Sequence, residues 1–468
     1  MRIPLAVLLT AAAATALASP SASAQKEEVR EAPPLVLGGA SAAAPPRAAL
    51  VTSSALVTSS ALVTSSALAA SSAPASQRAG QPSRLAEVRA VAETAPNWDD
   101  EAGGDANADD PGIWVNPRVA AKSVVLGTLK NGGLTVFDLS GKELQHVATA
   151  PDGRFNNVDL VIGVFVGGKR RDLAVVSDRG LDKLRVYAVD QRGSDAKDKV
   201  LTDVTSPTAP LVFSRDDAEV EEQRTAYGVA ALNLGGQAFV AVSRRSETRI
   251  GLFRLVADRT GKISYQAVKQ LDLPSTFQLS NGSTWSPCED PGDRPQIEGM
   301  VFDQTTATLY AAQEDIGIWK IPLAGRPTLL EKTREFGQPG AYDEETEECA
   351  PTGPVSKDGG KHLSADAEGL TIAYRGAAKT LYASSQGDST FANYRITAKG
   401  LEYRNGFKVV DGAATDGVQH SDGAAVTTKP LGPLFPHGLL AVHDGENTPG
   451  DGDREGTNFK LVRLEQLP

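Results

Sequence analysis

Residues 297–323 read IEGMVFDQTTATLYAAQEDIGIWKIPL. A polar residue, Glu298, stands at the entrance of an apolar run; a second apolar run follows, then a polar turn, then a third. Short apolar runs bounded by Gly, Asp, Gln and Thr are strands, and their succession is a meander. Both halves of this unit recur along the chain. The entrance returns as Asp110 in DDPGIWV, Asp159 in NNVDLVIG, Tyr227 in AYGVAAL, Glu368 in DAEGLTIA and Asp422 in SDGAAV. The hairpin returns as SVVLGTLKNGGLTVFDL, DLAVVSDRGLDKLRVYAV, QAFVAVSRRSETRIGLFRL, TLYASSQGDSTFANYRIT and the looser GLLAVHDGEN with NFKLVRL. Short strands repeating every ~50 to 70 residues, in six copies, predict an all-β chain folded as a six-bladed β-propeller.

Topology then predicts a site. Strands of a blade run up and down, so the residue before the first strand and the turn after the second share one face. First strands are innermost, which brings the entrance residues to the axis. Asp109, Asp110, Asn157, Asp159, Tyr227, Glu298, Glu368 and Asp422 should form one ring, with Lys130, Arg179, Arg245, Glu314, Asp315, Gln386 and Asp444 around it. Crowded carboxylates repel, and either take up protons or bind cations. Oxygen donors without sulfur or imidazole select hard ions, and flexible loops favour Ca²⁺ over Mg²⁺. Taken singly, each acid is an ordinary turn residue; the weight lies in their common position. Trp114 and Trp319 read as strand packing, and Tyr227 is open between packing and ligand contact.

The chain of 468 residues carries 47 Lys and Arg against 58 Asp and Glu, a net charge of -11. That balance argues against nucleic acid and anionic membranes as partners. It also means that an anionic substrate needs a local cationic site. Arg2, an apolar run over residues 4–17 and the small residues Ala22, Ser23 and Ala24 read as an export signal, residues 1–24. The run is shorter than the about 20 residues that span a bilayer. Residues 25–85, rich in Ala, Ser, Pro and Val with ALVTSS three times in tandem, read as a disordered linker. A wall-spanning or glycosylated stalk is the alternative there. Residues 86–468 should form the propeller. The expected product is a secreted monomer, with attachment to the cell wall left open. An exported chain with two cysteines, Cys288 and Cys349, is expected to bond them.

From about residue 105 onward the chain resembles the β-propeller, or alkaline, phytases of bacteria. The motifs are DANADDPGIWVNP, GTLKNGGLTVFDLSGKEL, RFNNVDL, IEGM, QEDIGIWK, DAEGLTI, YASSQGDS and LAVHDGENTPGDGD with TNFKLV. The resemblance implies a calcium-dependent phosphomonoesterase of the 3-phytase type, acting on phytate and other inositol polyphosphates with several Ca²⁺ ions. It assigns active-site calcium ligation to Asp110, Glu298, Glu314, Asp366 and Glu368, with Asp109 beside them, and takes Asp110, Glu298, Glu314 and Glu368 as the catalytic set. Asn157 and Asp159 would lie at the same mouth, and Asp416 and Asp422 would serve further calcium sites. Lys130, Arg179 and Arg245 would bind phosphate, with Tyr227 as hydroxyl partner. The implied chemistry is in-line attack by a metal-acidified water, without a side-chain nucleophile.

The chain departs from that family at four positions. Asn131 and Arg245 stand in place of lysines, and Ser246 and Gln313 in place of acids. Segments 280–294 and 336–361 read as insertions, and they carry the two cysteines. His443-Asp444 is an HD pair without an RHG partner, so a histidine-acid phosphatase is unsupported. Two other readings stay open at this stage: a calcium-dependent propeller lactonase or esterase, and a secreted binding propeller with structural calcium only. The row of cations Lys130, Arg179 and Arg245 favours phosphate.

Overall fold

In the computed structural model each predicted meander pairs as one blade. The described residues are 85–468, so the export signal and residues 25–84 of the linker lie outside them. Blade 1 consists of Pro111–Trp114, Val124–Thr128, Leu134–Phe137 and Glu143–Val147. Blade 2 consists of Phe155–Val166, Lys169–Asp178, Lys183–Val189 and Leu201–Asp203. Blade 3 follows with Ala226–Leu234, Gln237–Arg244, Arg249–Ala257 and Ile263–Asp272. Blade 4 holds Ile297–Asp303, Thr308–Gln313, Gly317–Pro322 and Thr328–Lys332. Ala367–Arg375, Ala378–Ser385, Thr390–Thr397 and Gly400–Val409 make blade 5.

Blade 6 is composite. Ala424–Thr427, Leu439–Asp444 and Gly456–Arg463 are completed by Ala90–Glu93, which pairs antiparallel with the last strand. Ala86–Val88 adds in parallel to the edge of blade 5. The first strand of every blade packs on the first strands of both neighbours, blade 6 on blade 1 included, so the ring closes around an axis.

Burial explains the residue choice. Val124–Thr128 and Thr308–Gln313 are buried along their whole length, because a blade is covered on both faces by its neighbours. Such strands read as continuous apolar runs rather than as alternation. Between blades 2 and 3, for example, Val175, Val186, Val229, Val240 and Phe253 share one core. The tryptophans are packing residues as expected: buried Trp114 donates to Asp172 at 3.0 Å, and Trp319 donates to Gln313 at 2.9 Å. Within segment 336–361, Gly340–Asp343 and Glu348–Pro351 form a small hairpin. Cys288 and Cys349 are disulfide-bonded, which ties that hairpin to segment 280–294.

Candidate metal and phosphate site

Strand register decides which residues face the axis. In blades 2 to 5 the first strand is irregular just after its opening pair, at Phe155/Val158, Ala226/Val229, Ile297/Met300 and Ala367/Leu370. The residue after each opening pair is therefore equivalent: Asn156, Tyr227, Glu298 and Glu368. Counting back from Pro111↔Gly127 and from Ala424↔Val442 adds Asp109 in blade 1 and Asp422 in blade 6.

This corrects the sequence reading at two blades. Asp110 occupies the following position, where its Oδ2 accepts the Val158 N–H at 3.0 Å. Asp159 lies two positions further along, and its Oδ2 accepts the Ala231 N–H at 2.7 Å. Each carboxylate latches its own blade to the next. Both line the channel below the ring, a cavity of ≈ 210 Å³ shared with Thr371 and Tyr374. The reason is that each step along a strand turns the side chain to the other face, so a slip of one residue misplaces it. Asn157, expected in the ring, sits beside Asp110 and accepts from Asn156 Nδ2 at 2.8 Å.

The glycines after four ring residues have a packing role. A Cβ on Gly299 would lie 2.2 Å from the carbonyl oxygen of Glu368, and one on Gly228 would lie 2.1 Å from that of Glu298. First strands thus meet backbone to backbone, and only glycine permits that approach.

Within the ring, Tyr227 donates its hydroxyl to Glu298 Oε2, and Asn156 Nδ2 donates to Glu298 Oε1. Gln386 Nε2 donates to Asp422 Oδ1. Oxygens of Glu298, Glu314 and Glu368 lie within 4.8 Å of one another. Glu314 comes from the hairpin turn of blade 4, and Gln296 Nε2 holds its Oε2 at 2.9 Å. Of the buried oxygens of these acids, both of Asp109, Oε1 of Glu314 and Oε2 of Glu368 have no hydrogen-bond partner among the described residues. Burial, and then the charges of neighbouring acids, push Asp109, Glu314 and Glu368 well above the usual carboxylate range. Asp366, at the rim, is raised to about 6 by burial and by Asp422; Asp315 is raised to about 7 by burial and by Asp366. Buried acids with unused lone pairs and mutual repulsion fit a hard divalent cation, which restores the lost solvation and opposes the charge.

The hairpin turns place cations on one side. Lys130, Arg179, Arg245, Glu314 and Gln386 are equivalent by register. In blade 6 that position is Gly445; Asp444 is one residue earlier and turns away from the mouth to Lys460. Burial works against the Lys130 charge, but Asp109, Asp422 and Glu298 outweigh it and raise its pKa. Its Nζ lies 3.8 Å from Asp422 Oδ2. Arg179 donates to Asn156 Oδ1 at 3.0 Å and sits 5.7 Å from the Tyr227 ring centre. Arg245 is half-buried, with no ion-pair partner among the described residues. Tyr227 is thus both packed and facing the site.

Asp416 does not join the ring. Its carboxylate binds the Lys460 ammonium and accepts from Thr448 N at 2.6 Å. Lys460 Nζ is fully buried and also meets Glu93 Oε2 at 2.6 Å, Asp444 Oδ2 at 3.2 Å and Asn447 Oδ1 at 3.4 Å. An ammonium already fills this set of oxygens, so they do not fit the calcium that the resemblance assigned to Asp416.

The phytase family model matches residues 52–278 and 338–468. A 3-phytase of Bacillus subtilis (strain 168) is 32% identical over 385 residues, 81% of this chain and 84% of that protein. The chain belongs to the phytase family. Solved propellers are more distant. The Mala s 1 allergen of Malassezia sympodialis is 12% identical, with a TM-score of 0.40 over 79% of this chain and 96% of its own. The Cps50 (Swd1) β-propeller domain of Myceliophteria thermophila is 8% identical, with a TM-score of 0.37 over 76% of this chain and 82% of its own. Membership of an enzyme family sets aside the lactonase and binding-only readings.

As a phytase the chain has local peculiarities that the structure explains. Gln313 donates Nε2 to the carbonyls of Pro274 and Pro295 at 3.2 and 2.9 Å, which a carboxylate could not do. Asn131 accepts from Arg154 Nη1 at 3.0 Å, so a cation stands beside the position of the missing lysine. Ser246 takes a left-handed backbone, φ 55, and donates its N–H to Gln296. His443 is held neutral: burial lowers its pKa to about 4, and its Nδ1 accepts the Asp422 N–H at 3.0 Å. Sequence reasoning missed Asn156, Gln296, Arg154 and Glu289. Glu289, from segment 280–294, bonds to Asp315; burial and the charges of Asp315 and Asp366 raise its pKa to about 9. Only Asn156 had a usable signal, its adjacency to Asn157 in NNVD.

Proposed function

We propose that this phytase hydrolyses phosphate monoesters of phytate and related inositol polyphosphates with several Ca²⁺ ions held by the axial carboxylates. The reading rests on one observation: buried carboxylate oxygens without partners, on Asp109, Glu314 and Glu368, belong to one acid cluster with Lys130 and Arg179 beside it. Glu298, Glu314 and Glu368 would hold the central ion, with Asp109, Asp366 and Asp422 available to others. When bound, calcium supplies positive charge against the polyanion and acidifies the attacking water.

The chain's own residues do the rest. Lys130, Arg179 and Arg245 take phosphates that do not react, and so fix the scissile one over the ring. Tyr227 and Asn156 hold both oxygens of Glu298, and Gln296 holds one of Glu314, which fixes their lone pairs before metal or substrate arrives. As negative charge grows on the oxygens of the scissile phosphate, whichever of Lys130 and Arg179 lies nearer to it would also stabilise that charge. We further propose export by residues 1–24, a linker over residues 25–85, a catalytic domain at 86–468 and a monomer.

A calorimetric Ca²⁺ titration of metal-free protein tests this. Glu298→Gln and Glu368→Gln should each lose the tightest binding event while melting like the wild type. Unchanged calcium binding in both variants would remove the ring as the metal centre.

A further inference from the structure

The face opposite the acidic mouth carries a basic and apolar patch. The connections between first and second strands all lie there, and none of the six contains an acidic residue. Arg118, Lys169, Arg170, Arg375 and Lys429 are exposed on or next to these connections, and none has an ion-pair partner among the described residues. Large apolar side chains are exposed on the same face: Val119 at 52%, Ile162 at 47%, Phe165 at 65% and Leu234 at 45%. Three of them form one patch. Phe165 N–H donates to Gly236 O at 2.7 Å, and Asn233 Nδ2 to Ile162 O at 2.7 Å, so the blade 2 and blade 3 turns stand side by side. Phe165 is cross-strand from Arg170, and Lys169 pairs with Val166 at the Gly167-Gly168 tip.

We infer that this face docks on an anionic lipid surface. An exposed aromatic and aliphatic tip flanked by the unpaired bases Lys169 and Arg170 matches a bilayer interface, where rings and aliphatic chains enter the headgroup layer and bases meet lipid phosphates. The turns between third and fourth strands, on the same face, do bring acids such as Asp138, Asp190, Asp195 and Asp258, but the paired tips of blades 2 and 3 carry Lys169 and Arg170 and no acid. The 12-residue strand Phe155–Val166 runs from mouth to tip and spans roughly 36 Å. That is several times the about 8 Å over which charge is felt at physiological salt. A lipid fits better than a soluble polyanion, which would leave Phe165 and Leu234 in water. Docked this way, the acidic mouth faces solution and stays open to soluble substrate.

Co-sedimentation of the full chain with vesicles tests the inference. Equal mixtures of phosphatidylglycerol and phosphatidylcholine should pellet the protein, pure phosphatidylcholine should not, and raising salt should release it. Phe165→Ser and Lys169→Ser/Arg170→Ser should each weaken pelleting at least tenfold, while their phosphate release from soluble phytate and their melting match wild type. Binding that ignores vesicle charge, or that survives both variants, overturns it. So does a wild-type dimer in analytical ultracentrifugation that Phe165→Ser converts to monomer, since the patch would then belong to a second copy. Failure of these experiments leaves the metal site untouched.

Discussion

The Tyr227 hydroxyl lies 2.5 Å from Glu298 Oε2 and donates to it across the mouth, from blade 3 to blade 4. Burial, and then the charge of Glu298, push the Tyr227 pKa well above its ordinary value, so the phenol remains a donor at any working pH. A donor that cannot ionise holds an acceptor that must stay ionised to bind a cation.

Tyr227→Phe removes that hydrogen bond and leaves the packing. A hydrogen bond to a charged group is worth ~1.5–3 kcal/mol, so kcat/KM for phytate should fall about ten- to hundredfold with little change in melting temperature. Steady-state kinetics alongside a thermal melt decide this; wild-type kcat/KM in the variant would make Tyr227 a packing residue.

Gly299→Ala attacks the fold at the ring rather than its chemistry. The added methyl meets the Glu368 carbonyl at 2.2 Å, so the blades must part, at a cost of about 3 kcal/mol. Gly168→Ala, at an open turn with φ +73, should cost only about 1 kcal/mol. Urea unfolding of the two variants compares them directly, and equal midpoints would refute the close approach.

Lys460→Met leaves three carboxylates, Glu93, Asp416 and Asp444, facing one another without the ammonium between them. Removing one partner from a buried ionic set costs about 3–5 kcal/mol. Because Glu93 belongs to the closing strand, the amino-terminal edge should also become open to proteolysis. A variant as stable and as resistant as wild type would show that the clasp contributes nothing.

Acidity should matter most without metal. Asp366 and Asp315 are raised to about 6 and about 7, which means that the folded state favours their protonated forms. The stability they contribute is complete below the unfolded carboxylate value of ~4 and is lost as pH rises through 6 and 7. In excess chelator the melting temperature should therefore fall between pH 4 and 7. With saturating Ca²⁺ the fall should shrink, since the cation favours the ionised forms. A chelated protein that becomes more stable through this window would contradict the direction of both shifts.

The blades were legible because each repeats the same meander, and because glycine follows the ring residue in four of them. The ring was legible only where that glycine marks the register. In DDPG two acids compete for one place, and in NNVD the single acid is not the ring residue. Asp110 and Asp159 were misplaced for that reason, and Asn156 was passed over as an amide. The closing strand Ala90–Glu93 left no signal, since a short apolar segment shows neither its partner nor its distance along the chain. Lys460 likewise reads as an ordinary charge in an apolar strand until Glu93, Asp416 and Asp444 are brought around it.

Phosphate release from phytate, measured before chelation, in excess chelator and after Ca²⁺ is restored, bears most directly on the role of the axial carboxylates. Release should vanish with the chelator and return with Ca²⁺ in the wild type, and should not return in Glu314→Gln. Undiminished release in excess chelator would contradict a catalytic metal at this mouth.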